Sequence, residues 1–224
     1  MLFRSAYAPD GAQVGRRALR NTCLAYLSES DTAYLKTSVV PRLTAQLAAG
    51  NNKASGNMTD EITALAILAN IGLPEGDLPE SKVALDDFYA RWQNEALVVD
   101  KWLSVQATSR LPNGAARVRT LMQHPDFDLK NPNRVYALIR GFCGANPRHF
   151  HAADGSGYAL AADVISELQA INPQVASRIA RSFDRWRQFD AGRQTHARTA
   201  LERIAAVEGL AKDVAEVVGN TLKA

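Results

Sequence analysis

Two histidines one residue apart, His149 and His151, are the pair in this chain most like metal ligands. On an extended segment, residues i and i+2 share a side, so both imidazoles could meet one cation, with Asp154 as a third donor. The competing reading is a loop pair whose rings hydrogen-bond the backbone. The lack of another His or Cys nearby favours it. Just downstream, Asp154-Gly-Ser-Gly-Tyr158 leads into a helix. Successive N–H groups there could hold an anion. No strand precedes the glycines, however, and a tight turn with positive φ explains them more simply. A third set follows Asn172: Gln174, Arg178, Arg181 and Arg185, at i, i+4, i+7 and i+11. That spacing puts them on one helix face, apart from Val175, Ile179 and Trp186. Taken alone, such a row is a solvated basic face.

Hydrolytic chemistry has signatures that this sequence does not carry. A zinc peptidase presents two His one helical turn apart in His-Glu-x-x-His, with the Glu activating the bound water. The four histidines, His124, His149, His151 and His196, do not form it. Asp154-Gly-Ser-Gly-Tyr158 is not a Gly-x-Ser-x-Gly nucleophile elbow either, since spacing and strand are both wrong. Cys23 and Cys143 lie in apolar helical runs with no Cys-x-x-Cys. They read as two buried free thiols of a reducing compartment, and neither a disulfide nor a structural zinc site is expected.

The elements that must position these groups are helices. Asn precedes Pro at Asn131, Asn146 and Asn172. Asn caps free N–H groups, and Pro suits the first helical position, where no N–H is needed. Ala18, Leu19, Cys23 and Leu27 recur at helical spacing. Asp31 can cap a helix running to Ala49, and 50–56 is a loop by composition. Asn57 or Thr59 opens the next helix, which Gly72 and Pro74 stop. A Pro/Gly/acidic connector spans 73–81. Further helices are expected near 82–93, 96–107, 115–123, 132–144, 158–171, 173–186, 191–207 and 210–222. No stretch alternates like a strand. The fold class is therefore all-α, and short loops between many helices predict an α-solenoid of stacked antiparallel pairs with degenerate repeats.

With 224 residues, 46% of them hydrophobic and 22% charged, the chain can bury a substantial core. Aromatics are sparse at 7%, and the abundant alanines let helices pack closely. A net charge of +3 does not by itself demand nucleic acid. No apolar run approaches the ~20 residues that a membrane span needs, and the N-terminus has no signal-peptide core.

Six stretches, taken in order, carry a resemblance. They are Gly15-Arg-Arg-Ala-Leu-Arg-Asn21, Asn57-Met-Thr-Asp60, Asp100-Lys-Trp102, Asn131-Pro-Asn-Arg134, His149-Phe-His-Ala-Ala-Asp-Gly-Ser-Gly-Tyr158 and Asn172-Pro-Gln-Val-Ala-Ser-Arg178. Their order and spacing resemble the C-terminal helical domain of bacterial aminopeptidase N, a zinc metallo-aminopeptidase. The resemblance implies one domain over 15–224, a superhelix of helix pairs. It makes 1–14 a leader that is either non-native or cut from a longer chain. It implies that zinc is bound by an upstream catalytic domain of the same polypeptide, with no cofactor and no catalytic residue here, so the isolated chain is expected to be inactive. It places Arg178 and Gln174 at the internal cavity leading to the zinc. There a guanidinium can pair with a peptide carboxylate or carbonyl. Tyr136 stands where some relatives carry a second Arg, replacing a charge with an amphipathic ring. Peptide substrates, a cytoplasmic location and no nucleic-acid or membrane partner complete the expectation.

Two other readings stand beside it. A free-standing α-solenoid scaffold would bind a protein partner on a concave face. Nucleic-acid binding would rest on the seven arginines from Arg178 to Arg203, without a recognised motif.

Overall fold

The computed structural model describes residues 8, 10–50, 56–74 and 76–223. Most of the loop expected at 50–56, and all of 1–7, lie outside the described residues. The chain divides into two compact units, 1–105 and 106–224.

The first unit opens with α1 (Gly11–Leu27), whose N-cap Asp10 accepts from Gln13 N at 2.8 Å. Asp31 accepts from Tyr34 N and starts α2 (Thr32–Tyr34). The helix then widens into a π-turn at Leu35–Val39 before α3 (Val40–Ala49). Pro41 explains the widening. Its ring would clash with the carbonyl four residues back, and it donates no hydrogen bond. The turn adapts by letting the Val40 N–H reach Leu35 O, five residues away. Asn57 caps α4 (Met58–Leu68) through Asp60 N.

The connector holds a two-residue antiparallel ribbon, β1 (Gly72–Leu73) with β2 (Gly76–Asp77). This corrects the expectation of no strand. Two residues are too few to show alternation. Helices α5 (Pro79–Trp92) and α6 (Ala96–Ala107) follow, α5 with Pro at its first position. Helix α4 packs against α1, α3 and α5, and Leu43, Leu65, Leu68, Phe88 and Leu103 are fully buried.

Two acidic residues in the first turn of α4 are buried as well. Asp60 pairs with Arg20 and accepts from Asn21 Nδ2 at 3.0 Å and Asn57 Nδ2 at 2.7 Å. Glu61, only 1% exposed, accepts from Arg91 Nη1 at 2.5 Å and Trp92 Nε1 at 3.1 Å. Carboxylates at a helix N-terminus also meet the favourable end of its dipole.

The apolar stripe read on α1 does not face this core. Its buried residues are Asn21 and Leu24, while Leu19 is 67% exposed and Cys23 is exposed. The expectation of two buried thiols therefore holds for Cys143 and fails for Cys23.

The second unit contains α7 (Gly114–Leu121), α8 (Pro132–Val135), α9 (Gly141–Ala145), α10 (Pro147–Phe150), α11 (Ser156–Ile171), α12 (Pro173–Ala180), α13 (Ala191–Ala205) and α14 (Lys212–Lys223). Helix α11 packs on α12 and α13 on α14. Across the pairs, α11 meets α13 and α12 meets α14. That pattern is pair stacked on pair, the packing rule of a helical solenoid. Phe142, Phe150, Tyr158 and Phe183 form a fully buried aromatic cluster, with Phe150 meeting Tyr158 and Phe183 edge-on.

Helix α12 stops at Ala180 instead of running to Trp186. Partners on α14 win over the helical period. Trp186 Nε1 and Arg187 Nη1 both donate to Thr221 O, and Thr221 Oγ1 donates to Asp184. The expected row Gln174–Arg178–Arg181–Arg185 is thereby broken after Arg178.

Candidate functional site

Arg178 and Tyr136 lie 42 residues apart in sequence, yet Arg178 Nη1 donates to Tyr136 Oη at 2.8 Å. Helix α12 supplies the arginine. Asn172 accepts from Val175 N at 3.1 Å and fixes the helix start, with Pro173 at the first position. Val175, Ala176, Ile179 and Ala180 are buried, so Gln174 and Arg178 are turned outward. The tyrosine comes from a five-residue π-turn, Tyr136–Arg140, that links α8 to α9. Asn131 caps α8 through Asn133 N at 3.0 Å, while Ala137, Leu138 and Ile139 anchor the turn in the core. Such wider turns recur at functional sites because they re-aim side chains that a regular helix would stack.

Sequence reasoning missed one member of this group. Arg140 sits four residues after Tyr136, with its guanidinium 5.7 Å from the ring centre. The i, i+4 aromatic–arginine spacing was the available signal. Tyr136 is half-buried, and the two arginines flanking it are exposed. Neither is ion-paired to a carboxylate among the described residues. Gln174 shares the outward face of α12, one turn before Arg178, and is exposed. It is not hydrogen-bonded into the pair. The structure thus joins two of the three candidate residues and leaves the third beside them.

The other candidates resolve differently. His149 and His151 face separate neighbours, and His149 Nε2 is buried without a hydrogen-bond partner among the described residues. The His149 ring lies against Gly114, where an added Cβ would come within 2.5 Å of it. His151 Nδ1 bonds Tyr158 Oη at 2.8 Å, and its ring stacks on Phe189 with centres 3.9 Å apart. Burial, aided by the nearby Arg193 charge, lowers the His151 pKa and favours a neutral ring. Burial pushes the Tyr158 hydroxyl up to about 12. Among the described residues, no group of three or more His, Cys, Asp and Glu is placed to hold a metal ion.

The glycine loop is a turn. Gly155 has φ 71°, and Ser156 N donates to Asp154 Oδ1 at 3.0 Å, so the loop's own carboxylate takes an N–H that an anion would need. That bond holds the Asp154 carboxyl below its ordinary value. Gly157 lets the backbone pass close to α10, since a Cβ there would lie 2.4 Å from His149 O and Phe150 O.

Asn146 departs from the capping expectation. Its side chain makes no cap bond and instead donates to Ala107 O at 3.0 Å and Ser109 O at 2.8 Å, tying the preceding loop down.

The arginine run dissolves into separate fasteners. Arg187 covers the Trp186 ring and donates to the end of α14, and Arg193 donates to His151 O at 2.6 Å. Arg198 pairs with Glu202, and Arg203 with Asp163.

A family model described as "Domain of unknown function (DUF3458_C) ARM repeats" matches residues 2–223. ARM repeats are stacked helices, in agreement with the all-α solenoid class. Aminopeptidase N of Escherichia coli (strain K12) is 36% identical over 220 residues, covering 98% of this chain and 24% of the relative. Aminopeptidase N of Caulobacter vibrioides (strain ATCC 19089 / CIP 103742 / CB 15) is 38% identical over 222 residues, 99% of this chain and 24% of the relative. The crystal structure of Legionella pneumophila aminopeptidase A in complex with aspartic acid superposes with a TM-score of 0.83 at 35% identity. It covers 96% of this chain and 24% of that one. The chain thus spans about a quarter of the length of the curated relatives it matches, in their C-terminal part.

Proposed function

The chain belongs to this ARM-repeat family, and from that premise we propose that it is the cavity-forming C-terminal part of a zinc-dependent aminopeptidase. In this reading an upstream domain of the same polypeptide binds zinc and removes N-terminal residues from peptides. The helical part covers that active site and restricts which peptides enter. The zinc is assigned to the upstream domain. The isolated chain is then inactive.

The observation that carries the reading is the Arg178–Tyr136 pair. A guanidinium held by a phenol keeps its full charge and several free N–H donors. A carboxylate partner would have neutralised it. Held this way, Arg178 can donate to a peptide carboxylate or carbonyl, with Gln174 one turn away as a neutral hydrogen-bonding neighbour. Tyr136 aims the guanidinium, while Arg140 covers its ring.

Peptidase kinetics of the full-length polypeptide test this. Arg178→Ala is expected to raise KM for peptides about 10-fold or more, since a hydrogen bond to a charged group contributes ~1.5–3 kcal/mol. An unchanged KM on every peptide length would remove Arg178 from the substrate path. Tyr136→Arg is expected to shift the preference between short and long, or neutral and acidic, peptides. A variant matching the parent on all of them would remove Tyr136 from that path.

A further inference from the structure

The outer face of α1 is apolar and, among the described residues, uncovered. Asn21 and Leu24 alone are buried, and the opposite side of the helix carries Ala12, Gly15, Leu19, Thr22, Cys23 and Tyr26. Leu19 is 67% exposed and Tyr26 78%. A 17-residue helix of a folded chain normally turns its apolar stripe to the core. Here the stripe legible in the sequence points outward, while polar Asn21 and Arg20 engage Asp60 on the inner side. Exposing such a contiguous stripe is costly unless something covers it.

We propose that the outer face of α1 is the seat of the upstream part of the same polypeptide. This rests on the reading that the chain is the C-terminal part of a longer protein. The relatives are about four times as long as the segment matched here, so most of their mass lies outside it. Helix α1 is the first helix among the described residues. An upstream partner joined to it acts at the high effective concentration of an intramolecular contact, which a second copy does not. The face is also uncharged apart from Arg16 at its margin, which suits a permanent buried contact better than a reversible one.

Cys23 stands on this face and reports on it. It is exposed in the described chain, whereas Cys143 is buried, its thiol pushed up to about 12 by that burial. The experiment is timed N-ethylmaleimide labelling of the full-length polypeptide, read by peptide mass spectrometry at Cys23 and Cys143. The same protein in denaturant sets the unprotected rate. Covered by the upstream part, Cys23 is expected to label at least ~100-fold slower than in denaturant. Leu19→Glu is expected to restore about a tenth or more of the unprotected rate at Cys23 while Cys143 stays protected, which separates loss of the contact from unfolding. Native labelling at Cys23 within a few-fold of the denatured rate overturns the proposal. So does protection that disappears on dilution, which would identify a second copy as the occupant. Protection in a polypeptide without peptidase activity leaves this inference standing and sinks the functional reading. Peptidase activity with an unprotected Cys23 does the reverse.

Discussion

Two charged clusters of this molecule are built on opposite principles. At the start of α4, Asp60 and Glu61 are buried, and each meets a guanidinium and further N–H donors. At the end of α12, Arg178 and its neighbour Arg140 are exposed and meet the phenol and ring of Tyr136, with no carboxylate partner among the described residues. The first cluster pairs both carboxylates internally, which is what burial requires, although Arg20 Nε is buried without a partner among the described residues. The second leaves donors unspent, which is what a ligand requires. Charge alone does not mark a site; charge with its partner withheld does.

The sharpest way to break that comparison is to strip the first cluster. Glu61→Ala leaves Arg91 partly buried without its carboxylate and orphans Trp92 Nε1. Breaking one side of a buried pair costs ~3–5 kcal/mol, read as a lowered denaturant midpoint. A loss near zero would mean that the α4 cluster is ornamental and the contrast false. Gly157→Ala tests the packing that supports the second unit. The Cβ would meet two backbone oxygens at 2.4 Å, and backbone cannot swing away as a side chain can. A loss of ~3 kcal/mol is expected, the upper end for overpacking.

A subtler probe is pH. Burial alone would push the Asp60 carboxyl up. The hydrogen bonds from Arg20, Asn57 and Asn21, with the Arg20 charge, outweigh it and hold the carboxyl below its ordinary 3.8. A depressed folded value gives stability that is present above the unfolded value and is lost as pH falls through the folded one. Stability of the parent should therefore drop more steeply below about pH 4 than that of Asp60→Asn, whose position does not titrate. Parallel acid profiles would contradict it. The smallest effect is expected from Arg178→Ala. An exposed arginine without an acid partner should change stability by no more than ~0.5 kcal/mol, while the peptide KM moves. A large stability loss would move Arg178 into the class of Asp60.

Much of the helical framework was legible because its signals are local. Asp31, Asn57, Asn131 and Asn172 cap where their sequence context predicts. Gly155 adopts the positive φ that its loop implied. The misses share a cause as well. Asn146 looks like its two Asn-Pro counterparts, but its amide is drawn to Ala107 and Ser109, which only folding brings near. The row from Gln174 to Arg185 has helical spacing, and the end of α14 takes the chain off that spacing at Ala180. Arg140 was passed over because a basic residue in an apolar helix gives no hint of which ring it will cover.

Residue order by itself determined the all-α class, most caps and stops, and the family resemblance, because these depend on neighbours a few positions apart. Tertiary structure decided which polar groups find partners and which do not. It alone placed Tyr136 against Arg178 across 42 residues, separated His149 from His151, and left the stripe of α1 facing outward. Such outcomes depend on packing between distant segments, where a hydrogen bond or a buried ring outweighs the weak preferences that local sequence sets.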